Sequence, residues 1–496
     1  MTQKTVVVGR EPNYDAKKDA FIFQKKAFDF CKDKEFSAIF HEQGLGKTKI
    51  GVDLLLYWLK STNIDTVLIV TKRSLVSNWE DELLFHTYLH PRFLSSNRND
   101  NFFVFNSPSR VIVTNFETVL SEKERLKLFC KSRNVAIIID ESAKIKNPDS
   151  LITKAFFELS PYFIKRVIMS GTPAANRPYD IWAQIFFLDG GESLGKDYAS
   201  FKRNTDLPKD RALNEEYSTI LEGIFEKLSS FAIRETKQSA NLELPEKNYH
   251  DIWTLFTQDQ WLLYNKVRDE MKIEIIEDGN TIIDDSSQAL KRLLRLLQVT
   301  SNPKIISDSI NIKSGKEYEL DRLLKEIISR DEKAIIWTTF VKNVDYFYEK
   351  YKEKYGAVRF YGTLSPAERT KAVRVFKQGD ARLFIATPQS AKEGLTLTVA
   401  NNAIFYDRSF SLDDYLQAQD RIHRISQEKT CHIYNIMIRG SIDEWVNSLL
   451  NAKSKAAALA QSDIEKEVFQ NDMSYLYNSI IKNILNSNKE IPHGKE

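Results

Sequence analysis

EFSAIFHEQGLGKTKIGVDLLLYWL, residues 35–59, is a short apolar run, a turn holding two glycines, and then a helical pattern. Gly44 and Gly46 let the backbone bend tightly enough for its N–H groups to face phosphate oxygens. Lys47 can reach β- and γ-phosphates, and the Thr48 hydroxyl can hold Mg²⁺. The residues read as cradling a nucleotide are therefore Gly44, Leu45, Gly46, Lys47 and Thr48. The formal phosphate-loop pattern has glycine at position 41, where this chain has His41. Alone, GxGKT competes with ordinary glycine turns. The strand-like run before it and the helical run after it favour the phosphate loop.

Outward from this stretch, the first third alternates strand and helix patterns. Apolar runs at 65–70, 111–115, 135–140 and 166–170 have the continuous character of buried parallel strands, each followed by turn residues and helical periodicity. Strand-like runs return at 333–340, 358–362, 382–388, 402–407 and 431–438. Between them, segments such as 215–228 and 290–299 are charged and helical in spacing. The expected fold is α/β: a parallel-sheet lobe over 1–188, helical insertions and a connector over 189–303, a second parallel-sheet lobe over 304–450, and a helical tail over 451–496.

Composition sets limits on this reading. A chain of 496 residues, 42% apolar, can bury a separate core in each lobe. Lys and Arg total 71 against 68 Asp and Glu, so the charge balance does not argue for nucleic acid and any basic groove must be local. Cys31, Cys130 and Cys431 lie far apart, without disulfide or zinc spacing. No apolar run reaches membrane-spanning length, and MTQKTVVVGREPNYD lacks the form of a signal peptide. The expectation is a soluble intracellular protein with no membrane partner.

The second element of a nucleotide site is an acidic pair at a strand end, and VAIIIDES supplies Asp140 and Glu141, 93 residues after Lys47. Asp140 would hold Mg²⁺ through water and Glu141 would polarise an attacking water. An isolated pair of this kind is often only a solvated turn after a strand; its position in the same lobe as the loop favours the catalytic reading. A third element, QAQDRIHRISQ at 417–427, presents Arg421 and Arg424 one helical turn apart, so that a nucleotide bound elsewhere could be sensed here.

Taken in order, FQKKA (23–27), GLGKT (44–48), VLIVTKRSLVSNWEDE (67–82), VIVTNFETV (111–119), IIIDESAKIKNPDS (137–150), SGTPAANRPYDIW (170–182), LLRLLQVTSNP (293–303), AIIWTTF (334–340) and QAQDRIHRISQ resemble the motor of superfamily-two helicases. Within that superfamily they resemble the Swi/Snf-type DNA translocases. The discriminating pieces are SNWEDE with Trp79, IKNP after the acidic box, SGTPAANRPYDIW, and HRISQ. AIRETKQSANLELPEK (232–247) also resembles the family's connector between lobes.

This resemblance implies two tandem RecA-like lobes and an ATP site with Mg²⁺. It assigns Gln24 to the adenine edge, Lys47 and Thr48 to phosphate and Mg²⁺, and Asp140 and Glu141 to metal and water. Ser170 and Thr172 would link nucleotide state to lobe movement. Gln417, Arg421 and Arg424 would face the γ-phosphate, and Gly394 would let its loop approach nucleotide and nucleic acid. Two departures stand out. Ala143 occupies the place where the family's acidic box usually ends in histidine, and PQSAKEG replaces the family's small residues around Gly394.

Nucleic-acid contacts in such motors go mainly to the phosphate backbone, without sequence specificity. The candidates are Lys72, Ser74, Asn115, Thr339, Thr387 and Ser390, with Lys144 and Lys146 as weaker ones; each is equally readable as a solvated loop residue. The expected partner is double-stranded DNA, with a protein partner supplying targeting. The expected activity is ATP-dependent translocation along duplex. The alternatives are a strand-separating or branch-remodelling helicase and, from another class, an ATP-gated scaffold with little hydrolysis. A small-molecule kinase would leave the second lobe and its arginines unexplained.

Overall fold

The computed structural model describes residues 12–174, 176–206, 215–240, 244–277, 286–307, 309–393, 395–424, 426–461 and 463. They form two compact units. The first is built on the described residues of Met1–Ala174, Pro178–Asp206 and Ile220–Asn241. Its strands are β1 (Phe36–Ile39), β2 (Thr66–Thr71), β3 (Arg92–Phe93), β4 (Val111–Asn115), β5 (Val135–Asp140), β6 (Lys165–Met169) and β7 (Ala232–Ile233). They pair parallel throughout, in the order β3-β4-β2-β5-β6-β1-β7.

The order of three neighbouring strands positions the site. β6 lies between β5 and β1, and Met169 at its end is opposite both Asp140 and Ile39. The chain therefore leaves three adjacent strands at one level, and the segments that follow them (41–46, 141–145 and 170–174) emerge side by side. β2, β5 and β6 are apolar on both faces, as strands covered by helices on each side must be. Trp58 on the helix Lys47–Ser61 and Trp79 on the helix Val76–His86 are fully buried in one core with Val67, Ile69, Val113 and Ile138. Phe116, Phe156 and Phe187 form a separate buried aromatic chain, with ring centroids 5.7 and 5.9 Å apart.

The second unit, chiefly the described residues of Leu242–Glu496, has six strands. These are β8 (Lys247–Thr254), β9 (Ala334–Trp337), β10 (Ala357–Phe360), β11 (Leu383–Ala386), β12 (Asn402–Phe405) and β13 (Cys431–Ile438). They are again all parallel, in the order β10-β11-β9-β12-β13-β8. Alternation along β9 supplies two cores: Ile335 and Trp337 pack with Phe384, Phe405 and Ile433, while Ala334 and Ile336 pack with Leu383, Ile385, Ile404 and Tyr406.

The expected α/β fold with two parallel sheets is the observed one. The interval 189–303 departs from the helical expectation, because β7 and the long β8 lie within it, β8 running beside β13 for its full length. KNYHDIWT is only partly buried along an edge, so it lacks the continuous apolar character that marks the inner strands. The short β3 was also not anticipated. At the other end, the helix Ile442–Ala460 runs through the expected boundary at 450, and the rest of the tail lies outside the described residues apart from Gln461 and Asp463.

A buried ion pair fastens this last helix to the second unit. Lys316 is fully buried and its Nζ lies 2.8 Å from Asp443 Oδ2. The same carboxylate accepts from the Ile438 backbone N–H at 2.9 Å and from the Thr300 hydroxyl at 3.3 Å. Removing one partner of such a pair leaves an uncompensated charge. Lys316→Met should lower unfolding stability by about 3 kcal/mol, measured by chemical denaturation; a loss under about 1 kcal/mol would show that the pair contributes little to the unit.

Candidate nucleotide-binding site

The phosphate loop leaves β1 and enters its helix as the glycines require. Gly44 has φ 88° and Gly46 φ 67°, both in the left-handed region. Gly46 caps the helix Lys47–Ser61 without a side-chain hydrogen bond, an end that suits an anion. A Cβ on Gly46 would lie 2.4 Å from Gln24 Nε2. That amide donates to the carbonyls of Leu45 at 3.2 Å and Gly46 at 3.4 Å, while its Oε1 accepts from the Phe21 N–H at 3.0 Å. Gln24, read in the sequence for the adenine edge, here braces the loop from below. Lys47 folds back across the turn, donating to the carbonyls of His41 at 2.9 Å and Glu42 at 3.2 Å; Thr48 follows it, partly exposed, in the helix's first turn.

A strap runs along the loop. Residues 231–235 extend the β1–β7 pairing: Phe40 N donates to Ile233 O and Glu42 N to Glu235 O, each at 2.9 Å. Arg234 donates to the Phe40 carbonyl at 2.6 Å, and Lys237 N donates to Glu42 Oε2 at 2.8 Å. His41, at the formal glycine position, is fully buried, and its Nδ1 accepts from the Glu235 N–H at 3.2 Å. Burial, helped by the charge of Lys47, pushes its pKa down to about 4, so the ring is neutral at physiological pH. The side chain therefore locks the strap to the loop.

At the end of β5 the two acidic residues have different surroundings. Asp140 Oδ2 accepts from the indole N–H of the fully buried Trp79 at 2.8 Å. Burial first, then the Glu141 charge, raises the Asp140 pKa above the ordinary carboxylate value, against the opposing pull of the Trp79 hydrogen bond, Lys47 and Lys72. Glu141 adopts φ 60°, ψ 53°; it and Asp331 are the two non-glycine residues of positive φ among those described. This conformation costs on the order of 1 kcal/mol. Lys72, a nucleic-acid candidate in the sequence reading, places its Nζ 3.0 Å from Glu141 Oε1. Trp79 and Lys72 both lie in VLIVTKRSLVSNWEDE, but nothing in their spacing indicates these partners.

The SGTP segment after β6 completes the cluster. Ser170 is fully buried and its Oγ accepts from the Thr172 N–H at 3.2 Å. Gly171 passes so close to the loop that a Cβ on it would lie 2.5 Å from Gln43 Cγ and 3.2 Å from Lys47 Nζ. Loop, acidic pair and SGTP thus meet at the ends of β1, β5 and β6. Among the remaining candidates of this unit, Ser74 is exposed in the turn after β2, Asn115 caps the next helix by accepting from Thr118 N at 3.0 Å, Lys144 pairs with Glu117 and Lys146 with Asp180.

In the second unit the helix Leu412–Gln419 ends before the arginines, which sit in the turns beyond it and not on the helix face the sequence suggested. Gln417 donates to Asp413 at 2.8 Å. Arg421 donates to the carbonyls of Gln417 at 3.0 Å and Leu395 at 3.3 Å, and Arg424 to the Asp420 carbonyl at 3.0 Å and the Thr396 hydroxyl at 2.8 Å. Thr339 donates its backbone N–H to Asp407 at 2.6 Å. Thr387 and Ser390 are buried, with the Ser390 hydroxyl on the Thr387 carbonyl at 2.6 Å. Gly394 lies outside the described residues.

A glycine-bent loop entering a helix, an acidic strand end beside it and a second parallel-sheet unit are parts from which a nucleotide-binding protein can be built. The SNF2-related domain matches residues 30–305 and the helicase conserved C-terminal domain matches residues 318–426. The chain belongs to the SNF2-related family. An uncharacterized ATP-dependent helicase of Mycoplasma pneumoniae is 28% identical over 82% of this chain and 38% of its own length. A DNA repair and recombination protein RAD54-like of Drosophila pseudoobscura pseudoobscura is 28% identical over 88% of this chain and 62% of its own length. The chain thus spans between about a third and two thirds of these relatives. A solved Sulfolobus solfataricus SWI2/SNF2 ATPase core in complex with dsDNA covers 96% of this chain and 98% of its own, at 23% identity and a TM-score of 0.42, too loose a likeness to add to the fold described above.

The unfavourable surroundings of the Asp140 charge bear on stability. Because its folded-state pKa is raised, the ionised side chain opposes folding at neutral pH, and this penalty disappears as pH falls below the ordinary carboxylate range. Asp140→Asn keeps an acceptor for Trp79 and removes the charge. It should melt above the parent at neutral pH, with the difference closing as pH falls to the ordinary carboxylate range. A variant that melts lower at neutral pH would contradict this.

Proposed function

We propose that this protein is an ATP-dependent double-stranded DNA translocase, moving along duplex and remodelling DNA or protein–DNA complexes. The observation that carries the reading is the meeting of Lys47, the Asp140–Glu141 pair and Ser170–Thr172 at the ends of three adjacent parallel strands, in a chain of the SNF2-related family with a helicase C-terminal domain. Duplex DNA as the track is supported by the SNWEDE, IKNP and HRISQ segments and by a relative named for DNA repair and recombination.

The roles follow from chemistry and surroundings. The loop N–H groups bind phosphate, and Lys47, now on two backbone carbonyls, needs only a side-chain swing to place its ammonium on the β- and γ-phosphates. Among the described residues no cluster of three or more His, Cys, Asp or Glu could hold a metal ion. Thr48 and Asp140 offer oxygen donors only, which suits Mg²⁺ shared with phosphates. Bound there, Mg²⁺ would neutralise charge on the phosphates. Glu141, fixed in its unusual backbone conformation, is assigned to polarise the attacking water. Gln417, Arg421 and Arg424 are assigned to the γ-phosphate, where an arginine stabilises the charge of the transition state. Ser170 and Thr172 are assigned to transmitting nucleotide state, and Ser74, Asn115, Thr339, Thr387 and Ser390 to the nucleic-acid backbone. Lys72 is retained as a backbone contact only in a state where it leaves Glu141.

Glu141→Gln preserves shape and removes the base, so it should retain ATP binding while turnover stops; Lys47→Ala should lose turnover with its phosphate charge. Arg421→Ala or Arg424→Ala should depress kcat by about a thousandfold with little change in ATP affinity. Parental turnover in Glu141→Gln, or in both arginine variants, would remove these assignments.

Translocation is tested by displacement of a triplex-forming third strand from duplex DNA. ATP-driven displacement, weakening steeply with salt as phosphate contacts release counterions, is the expected result. Efficient separation of a forked duplex with no triplex displacement would favour the strand-separating helicase, and binding of ATP and DNA without turnover would favour the scaffold.

A further inference from the structure

Ala143 removes the side chain with which the family's acidic box usually ends, yet the structure joins this box to the SGTP segment by another route. The Ser142 hydroxyl donates to Gln184 Oε1 at 2.7 Å. The same amide donates through Nε2 to the Pro173 carbonyl at 2.8 Å and to the Asp180 carbonyl at 2.8 Å. Ser142 and Gln184 are both fully buried. Both amide hydrogens are used, and a flipped amide would set its oxygen against two carbonyls, so the network itself fixes the orientation.

The ends of this bridge lie at the proposed chemistry. Ser142 follows Glu141, so any relaxation of that residue's left-handed backbone moves the Ser142 hydroxyl. Pro173 lies two residues beyond Gly171, where an added Cβ would meet Gln43 and Lys47 of the phosphate loop. A second tie runs alongside: Lys146, from the segment after the acidic box, pairs at 2.7 Å with Asp180, whose own carbonyl Gln184 holds. Low dielectric makes such a fully satisfied buried network stiff, and removal of one member leaves carbonyls or a hydroxyl unpaired.

We propose that Gln184 is a positioning residue that relays the state of the acidic pair to the SGTP segment through Ser142, in place of the histidine absent at position 143. The proposal rests on the translocase reading above, since it needs a nucleic-acid response to transmit. Gln184 touches no reacting atom; it sets where Pro173, and with it Ser170–Thr172, stands when Glu141 moves.

The test uses the full chain with Ser142→Ala, Gln184→Met and the double variant, each made with and without Ala143→His. Four quantities are read: kcat and KM for ATP without nucleic acid, the factor by which duplex DNA raises kcat, and hydrogen exchange at Ser170, Gly171 and Thr172 on adding a non-hydrolysable ATP analogue. Unstimulated kcat and KM should stay within about twofold, while the stimulation factor falls about tenfold in either single variant and no further in the double. Analogue-induced protection at 170–172 should vanish, and Ala143→His should restore part of the stimulation.

Gln184→Met gives up two carbonyl partners and could simply destabilise the unit. Ser142→Ala removes only one hydroxyl, so it is the deciding variant if Gln184→Met melts early. Unchanged stimulation and unchanged protection in Ser142→Ala would overturn the relay while leaving the translocase reading intact. A parental protein that no nucleic acid stimulates would overturn both.

Discussion

The parallel pairing of β6 between β5 and β1 is the constraint on which the site depends. With Met169 opposite Asp140 on one side and Ile39 on the other, three consecutive pieces of chemistry are held at one level by backbone hydrogen bonds, before any side chain contributes. Side chains then refine the placement. Trp79 orients Asp140, Lys72 sits on Glu141, Gln24 braces the loop, and His41 ties the loop to the 231–235 strap. Slipping any of these strands by one residue would turn its side chains to the opposite face and pull its loop out of the cluster.

Much of this was legible in the sequence because it depends on local rules. Strand-like apolar runs bounded by turn residues marked the inner strands: 111–115, 135–140 and 431–438 coincide with β4, β5 and β13. Gly44 and Gly46 marked the turn because only glycine takes positive φ there without strain. What was hidden depends on partners distant in sequence. β7 and β8 are edge elements without a continuous apolar signature, and nothing in FAIRETK shows that it will lie along the phosphate loop. Glu141 was readable as an acid but not as a residue in the left-handed region, because glutamate has no preference for that conformation.

The side-chain roles separate along the same line. Lys47, Asp140 and Glu141 could be nominated from residue type and spacing, since phosphate binding and water activation require a cation and carboxylates. Lys72 and Asn115 were nominated for nucleic acid by position alone, whereas the structure engages one with Glu141 and the other with the start of a helix. The place of Ala143 illustrates the point further. The sequence showed a missing side chain, and only the fold shows Gln184, 42 residues beyond Ser142, hydrogen-bonded to it.

The central proposal is that duplex DNA stimulates ATP hydrolysis at this strand-end cluster. The measurement that tests it most directly is steady-state ATP turnover by the full chain, compared side by side without nucleic acid and with single-stranded DNA, duplex DNA and RNA at one fixed salt concentration. The account predicts that duplex DNA raises turnover most. Equal turnover under all four conditions, or stimulation by single strands above that by duplex, would contradict it.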